Sequence, residues 1–396
     1  MKKILLLMII ASATLIGTKA QENEIGEPHL NAAQRMLKTS QGLTIGGYGE
    51  VHYNQQLNAD THNNGKLDVH RIVMLLGYNF NEKTQFISEL EFEHVKEVYV
   101  EQAFIQHKLS NAFQLRGGLM LIPMGIVNEY HEPNTFNGVE RPLIDKYIAP
   151  TTWREIGAGF TGNILPVSMR YQAYVVGGFN GYDSSGKFSG KNGLRKGRQK
   201  GAEAYISSPN FAGRIEYFGI RGLNIGLSGY FGNTQSTLYD GIDKNDKDAL
   251  AKADSSVVGM AMIGLDARYT YGGLQLRGQY YHTSLSNTKQ YNEFTGNDLG
   301  SAMYGYYLEA AYNVFKHLDG VKTGLIPFVR YEAYDTHSKT AGDLLQNNAY
   351  DIKAITTGLT LKLTQNAVLK ADMQFVKSAA DNEYAKTFNA GFGVMF

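Results

Sequence analysis

The chain has 396 residues, with 38 lysine and arginine against 37 aspartate and glutamate residues and a formal net charge of +1. This balance excludes the basic field that a nucleic-acid partner requires. No cysteine occurs, so the fold cannot depend on a disulfide framework. After the first twenty residues no stretch approaches the ~18 apolar residues of a membrane-spanning helix, which excludes a helical membrane protein.

Residues 1–20 have the pattern of a secretory signal peptide. Two lysines precede an apolar run at residues 4–10, and small residues lead to Ala20. We expect cleavage near Gln21 and export, with an uncleaved anchor as the alternative. The segment holds three lysines and no acid, so the mature chain carries 35 basic against 37 acidic residues.

Residues 21–40 form a separate N-terminal segment on the periplasmic side. In HLNAAQRMLKT, Leu30, Ala33, Met36 and Leu37 share one helical face, which predicts a short helix. A frayed leader is the alternative, and the sequence slightly favours it.

The rest of the chain, residues 41–396, has the composition and the pattern of strands. The whole chain contains 26 tyrosines, 19 phenylalanines and 44 glycines but only 8 prolines. This composition is typical of strands and turns. Two-residue alternation of apolar and polar residues recurs in segments of membrane-spanning length. Examples are FISELEFEH, QLRGGLML, SMRYQAYVVGGF, MIGLDARYTY and PFVRYEAYD.

The connectors between these segments alternate between short and long. The long ones lie at residues 57–66, 94–96, 122–152, 181–210, 236–255, 288–301, 337–350 and 379–385. Eight long loops and seven short turns predict sixteen strands, and this arrangement is typical of an antiparallel β-barrel in the bacterial outer membrane, with long extracellular loops and short periplasmic turns. A secreted β-sandwich or propeller, the alternative, rarely needs loops that are long on one side only.

The end of the chain, FNAGFGVMF, supports closure of the barrel. Phe388, Phe392 and Phe396 lie on one side of an extended chain that runs to the last residue. If the last strand pairs with the first, these apolar side chains face lipid and no edge is left open.

Assigning the apolar set outward places the polar set in the lumen. Five glutamates then fall on two adjacent strands, and bases alternate with acids elsewhere. The predicted pore-lining residues are Glu89, Glu91, Glu93, Glu97, Tyr99, Glu101, Arg116, Arg170, Arg214, Glu216, Asp266, Arg268, Arg277, Glu309, Arg330, Glu332, Lys370 and Asp372. We expect a water-filled interior with solvated charges, although about half of them could pair across strands. This interior predicts a pore for passive diffusion of ions and small hydrophilic solutes.

The third long loop, residues 122–152, is stiffened by four prolines and carries many apolar side chains. Such a loop would not stay in water, so we expect it to fold into the barrel and narrow the pore. The predicted constriction residues are Glu129, His131, Glu132, Glu140, Arg141, Asp145 and Lys146. One histidine among carboxylates is common in polar loops, so we assign no metal site here and expect no cofactor.

Several segments together resemble the phosphate-selective porin O and P family. They are TTWREIGAGFTGNI, PFVRYEAYD and RIEYFGIRGLNIGLSGYFG, together with the sixteen-strand count and the terminal Phe396. The resemblance implies an outer-membrane homotrimer with the third loop inside each barrel. It would also imply a ladder of arginines, whereas this sequence alternates bases with acids. We therefore carry over the channel and not the phosphate selectivity.

Two other classes of function stay open at this stage. An outer-membrane enzyme would need a histidine activated by a neighbouring acid or serine, and His52, His70, His107 and His282 show no such partner in any local motif. A surface receptor or structural barrel would use loops 181–210 and 236–255 to hold a partner. In every case we expect outer-membrane lipid and lipopolysaccharide as the surroundings.

Overall fold

The computed structural model describes residues 31–37, 42–58 and 60–396. The predicted signal peptide, its cleavage site and most of the predicted N-terminal segment lie outside the described residues. In the described ranges no helix combines the length and the apolar character that a membrane crossing demands.

Sixteen antiparallel strands close into one barrel, which confirms the predicted fold and strand number. Each strand pairs with its neighbours along the chain, and the last strand pairs with the first. The barrel strands are β1 (Gly42–Leu57), β2 (Lys66–Asn79), β3 (Thr84–Glu93), β4 (Glu97–Lys108), β5 (Gln114–Leu121), β6 (Arg154–Ile164), β7 (Met169–Val176), β10 (Asn210–Ile220), β11 (Leu223–Asn233), β13 (Gly259–Tyr271), β14 (Leu274–Ser286), β15 (Ala302–Tyr312), β16 (Gly324–Lys339), β17 (Asp351–Lys362), β18 (Ala367–Ser378) and β19 (Ala385–Met395).

The barrel closes between β1 and β19. Tyr48 lies opposite Met395 in this ladder, and the backbone amide groups of Gly47 and Phe396 each donate to the other's carbonyl oxygen at 2.9 Å. The Phe396 ring packs over Gly47, where a Cβ atom would lie 2.7 Å from the ring Cζ. The terminal phenylalanine therefore completes the ladder, and its side chain is 75% exposed on the outer face.

The two ends of the barrel differ, as the connector lengths predict. Short turns join the strands at one end, which we call the turn end; the other, the long-loop end, carries the long connectors. The connector after β5 covers residues 122–153 and contains α2 (Ile144–Tyr147).

Alternation along the strands separates an apolar outer face from a polar inner face. On β13, Ile263 and Leu265 are exposed while Met262 and Asp266 are buried. On β4 the alternation shifts by one residue, because Glu101 forms a bulge opposite the Glu89–Leu90 step of β3. Glu101 and the following glutamine are consequently both buried.

Other long loops carry small elements of their own. The connector after β7 contains β8 (Asn180–Asp183) and β9 (Ser185–Gly186), which form a three-stranded sheet with β12 (Gln235–Ser236). Loop 236–255 contains α3 (Lys247–Asp254), whose first turn is capped by the Asp246 side chain. The connector after β14 contains α4 (Thr288–Thr295).

A short helix, α1 (Ala32–Met36), lies at the turn end. Asn31 caps it in a capping box with Gln34, and the Asn31 amide also donates to the Glu129 carbonyl oxygen at 2.7 Å. The helix packs against β1 and β2 through Ala33 and Met36. The alternative of a frayed leader is thus wrong for residues 31–37, because side chains inside the barrel hold this helix.

Candidate functional site

The loop of residues 122–153 lies inside the barrel. Its backbone amides bond to inward-facing side chains of the wall: the Ile126 amide donates to Gln279 of β14 at 2.6 Å, and the Val139 amide donates to Asp372 of β18 at 2.7 Å. Between these two strands, the Leu143 amide donates to Glu332 of β16 at 2.5 Å. The interior polar groups of the strands are therefore partners of this loop.

His131 anchors the loop to β3 and β4. Its Nδ1 donates to the Asn128 carbonyl oxygen at 3.0 Å, and its Nε2 lies 3.1 Å from Glu101 and 3.6 Å from Glu89. Burial alone would lower the pKa of His131, but the Glu101 and Glu89 carboxylates raise it to about 10. Both ring nitrogens then carry protons, so a buried imidazolium joins the loop to the wall.

Five of the six predicted pore-lining arginines are paired with acids. Arg214 makes a bidentate pair with Asp266 at 2.6 and 2.8 Å, and Glu216 is shared by Arg170 and Arg268. Further round the barrel, Glu309 lies between Arg277 at 3.7 Å and Arg330 at 3.5 Å. The sixth, Arg116, donates to Gln106 instead. These five arginines thus do not form a free ladder, because each of them has a carboxylate partner.

Asp145 of α2 is a buried acid on the loop. Gln279 Nε2 and the Tyr281 hydroxyl donate to its Oδ1 at 2.8 and 3.0 Å, while its Oδ2 is buried with no hydrogen-bond partner. Burial raises the pKa of Asp145 to about 7, although the two donated hydrogen bonds oppose the shift. This side chain therefore titrates near neutral pH.

The expectation that the interior charges are solvated is wrong for sixteen of the predicted residues. Each of these side chains is less than about one-tenth exposed. They are Glu89, Glu91, Glu101, Glu129, His131, Glu132, Asp145, Arg170, Arg214, Glu216, Asp266, Glu309, Arg330, Glu332, Lys370 and Asp372. The physical reason is that protein groups replace water as their partners. The loop backbone donates to Glu332 and Asp372, and ion pairs between wall residues satisfy others.

The entrance cavity, at the long-loop end, has a volume of about 430 Å³. It brings together eight of the predicted residues. These are Glu91, Glu93, Glu97, Tyr99, Glu140, Arg141, Asp145 and Lys146. Six acidic and six basic side chains line this cavity in all, so neither sign of charge dominates its wall.

Two smaller cavities lie at the turn end, beyond the loop. One, of about 250 Å³, is lined by Arg116 and Arg170; the other, of about 190 Å³, is lined by Arg268 and Arg277 together with Tyr130 of the loop. The predicted arginines of these strands therefore line solvent-sized space at the turn end.

Sequence reasoning missed several residues of the entrance cavity. They come from β1 and β2, from the hairpin loop between β3 and β4, from the start of β6, and from the connector after β7: Glu50, His52, His70, His94, Arg154, Arg195, Arg198 and Lys200. The alternation in GYGEVHY would have found Glu50 and His52, because both follow the inward Tyr48 at two-residue steps. The bases at residues 195–200 carry no such periodicity, since they lie on a folded loop.

Partners also exist for the four histidines that show none in the sequence. His52 lies 3.3 Å from Glu50 and 3.4 Å from Glu140 of the loop, and His70 lies 3.4 Å from Asp68. The remaining two meet hydroxyl groups: His107 lies 2.9 Å from Thr84 Oγ1, and His282 lies 3.4 Å from Ser284 Oγ.

Two groups of side chains in the described residues have the composition of a metal site. Glu89, Glu101 and His131 form the buried ion-pair cluster described above. The second group, Asp68, His70 and His94, lies at the long-loop end. Glu129, His131 and Glu132 of the inner loop do not come together as one such group. The Glu129 carboxylate accepts from Gln172, and Glu132 accepts from the α1 backbone.

Comparison with known proteins decides the family. The profile of the phosphate-selective porin O and P family matches residues 45–337. The chain belongs to this family. It is thus an outer-membrane porin barrel, in agreement with the resemblance seen in the sequence.

Relatives of this porin extend the comparison over most of the chain. An uncharacterized protein of Aquifex aeolicus (strain VF5) is 33% identical over 364 residues, which are 89% of this chain and 80% of the relative. Among solved structures, the anion-selective porin of Comamonas acidovorans has 14% identity and a TM-score of 0.57, covering 90% of this chain and 99% of that one. The outer membrane channel DcaP of Acinetobacter baumannii has 9% identity and a TM-score of 0.57, covering 89% and 97%. At these identities the solved structures are evidence for the fold alone.

Proposed function

We propose that this porin is a channel for passive diffusion of ions and small hydrophilic solutes, with the loop of residues 122–153 as its constriction. The observation that carries the proposal is that residues of this loop line both the entrance cavity and a cavity at the turn end. A solute that crosses the barrel must pass between the loop and the wall.

The charge pattern suggests which solutes pass. The entrance cavity joins the acids of β3 and β4 to the bases at residues 195–200, so a transverse field orients dipolar solutes there. Arg198 donates to the backbone carbonyls of Thr151 and Thr152 at 2.9 and 3.2 Å, and no carboxylate pairs with it among the described ion pairs. We infer weak overall sign preference, with local attraction of anionic groups toward Arg198. Phosphate selectivity does not follow from this pattern.

The test is the current through purified protein in a planar bilayer under a salt gradient. The proposal predicts stable ohmic steps and a measurable reversal potential. Adding phosphate to chloride solution tests whether that anion competes at the basic side of the entrance cavity. Complete silence over repeated insertions would overturn the channel proposal.

A surface receptor or structural barrel is the second candidate, and one observation favours it. The loop is bonded to inward groups all round the barrel, and Arg330 and Glu332 beneath it are fully buried. A lumen closed in this way would leave the outer loops as the functional surface. We propose no catalytic role, because porins act as channels and the histidines that line the entrance cavity serve as ion-pair partners.

We further propose that residues 1–20 are cleaved as a signal peptide and that the mature porin is a homotrimer in outer-membrane lipid and lipopolysaccharide. A solved relative, OmpT of Vibrio cholerae, is described in a trimer form. Small outward residues on β7, β10 and β11 leave an apolar depression of about 710 Å³ on the outer face, which suits close packing against a neighbour. Mass spectrometry of the mature N-terminus and unheated gel electrophoresis test these two proposals.

A further inference from the structure

Three side chains meet at the rim of the entrance cavity, away from the buried ion pairs. Asp68 and His70 lie on β2, and His94 lies in the hairpin loop that joins β3 to β4. Asp68 Oδ2 is 2.7 Å from His94 Nδ1 and 3.4 Å from His70 Nδ1. One oxygen and two imidazole nitrogens therefore face a common point, all within 4.8 Å of one another.

The backbone holds His94 in this place. Its amide donates to the His70 carbonyl oxygen at 3.2 Å, so the two residues are neighbours across the β2–β3 ladder. His94 and Val95 have φ values of 52° and 65°, a left-handed conformation that is a genuine outlier for a branched residue such as valine. Such backbone strain persists where the surroundings fix it and is common at ligand-binding sites.

A second histidine layer supports His70. The ring of His52 stacks on it with centroids 4.4 Å apart and planes 10° apart, and His52 is itself held between Glu50 and Glu140. The His94 ring meets His70 edge-on, with centroids 5.4 Å apart. The stacked ring and the edge contact together fix the orientation of the His70 ring, as positioning contacts do for metal ligands.

We propose that Asp68, His70 and His94 form a binding site for a divalent transition-metal ion at the rim of the entrance cavity. Two imidazole nitrogens and one carboxylate oxygen are a donor set that suits zinc, copper or nickel and does not suit calcium or magnesium. Metal–ligand bonds of ~2.0–2.1 Å place neighbouring tetrahedral ligands ~3.3 Å apart. The His70–Asp68 separation already has this value, and the His94–Asp68 pair has to open by ~0.6 Å.

The site is accessible and leaves a coordination position open. The side chains of Asp68, His70 and His94 are 15%, 27% and 38% exposed, and both histidines line the entrance cavity. A bound ion would add two positive charges to the wall that carries Glu93. We expect it to reduce the passage of cations at this wall.

The experiment is isothermal titration of the untagged, detergent-purified porin with zinc sulfate. We expect one saturable site per chain, weakened at least about tenfold by His70→Gln, His94→Gln or Asp68→Asn, because loss of a ligand costs more than loss of an outer partner. His107→Gln and His282→Gln are the matched controls, because both are histidines on barrel strands outside the cluster, and they should bind zinc as the unmodified porin does.

Two results would overturn the proposal: no saturable zinc binding below ~1 mM, or binding that is unchanged in both His70→Gln and His94→Gln. Unchanged binding would assign zinc to another group, such as the buried Glu89–Glu101–His131 cluster.

Heat-modified migration on gels checks that each variant is folded. Cobalt gives a second measurement, since bound cobalt should show visible absorption that His70→Gln removes. Because neither assay uses current, their outcome is independent of whether the barrel conducts.

Discussion

His131 of the inner loop places its ring Nε2 3.1 Å from Glu101 Oε2 on β4. The two side chains are 3% and 0% exposed, and each makes further bonds, Glu101 to Thr152 and His131 to the Asn128 carbonyl oxygen. This pair joins the element that fills the barrel to the wall that surrounds it, so the stability and the conductance of the porin should depend on it together.

Removing one partner of this pair should be costly. His131→Ala leaves the buried Glu101 carboxylate without its nearest cation and with only Arg154 at 3.7 Å. Removing one partner of a buried ion pair typically costs about 3–5 kcal/mol. We expect lower thermal stability in gel-shift assays and noisier current as the loop loosens. The double variant His131→Ala/Glu101→Gln should recover part of the loss, since it removes the unpaired charge. Equal stability of the single variant and the unmodified protein would contradict the assigned role.

The pH dependence of loop packing should show the titration of Asp145. Its pKa is raised from 3.8 to about 7 in the folded protein, so the folded state binds the proton more tightly than the unfolded state. The contribution of this raised pKa to the free energy of unfolding is therefore complete below pH 3.8. It is lost as the pH rises to about 7.

Asp145→Asn tests this dependence, because the amide keeps the accepting oxygen and cannot titrate. The difference in unfolding temperature between the unmodified protein and Asp145→Asn should change between pH 4 and pH 7, in favour of the variant at the higher pH. Asp343→Asn, at an exposed acid of a long loop, is the control and should show no such trend. A constant difference over the whole range would refute the assignment.

The acids of the entrance cavity should influence ion selectivity. Glu89 is unsuitable for testing this influence, because it accepts hydrogen bonds from Tyr48 and Gln102 in a buried site. A lysine at this position would disturb folding. Glu93→Lys with Glu97→Lys changes accessible side chains that line the cavity. We expect the reversal potential in a salt gradient to move toward anion preference. Asp343→Lys makes the same acid-to-base change at a residue outside the cavity. This variant should move the reversal potential much less.

The α1 helix should depend on its cap. Asn31→Ala removes the capping box and the bond to the Glu129 carbonyl oxygen, a change of about 1 kcal/mol or more. Hydrogen exchange at residues 31–37 should accelerate in this variant. Asn347→Ala removes a cap at the long-loop end and should leave exchange at residues 31–37 unchanged. Equal exchange rates in the two variants would mean that the cap does not hold the helix.

The sequence predicts the barrel well because lipid imposes a strict rule on each strand. Outward residues must be apolar and every strand must be paired, so alternation and connector length suffice to give sixteen strands and a terminal Phe396 at the seam. The same rule predicts which alternate residues of β3, β13 and β16 face inward. The inward charges of these strands lie where the alternation predicts.

The arrangement inside the barrel could not be derived in the same way. The pairs His131–Glu101 and Tyr130–Arg170 join residues 30 and 40 positions apart through the path of an irregular loop, and periodicity carries no information about such a path. For the same reason the sequence predicts solvated interior charges where the structure has buried ones. The bulge at Glu101 is a further example, since nothing in EVYVEQAF marks the extra residue.

The proposed function requires that the loop of residues 122–153 limits an open channel. The most direct test is the single-channel conductance of a variant in which residues 126–147 are replaced by a short Gly-Ser linker, compared with the unmodified porin under the same salt. Water can then solvate the charges that the loop covers, so the barrel should still fold. We predict a several-fold larger conductance in the variant. An equal conductance in the two folded proteins would contradict the proposed role of the loop.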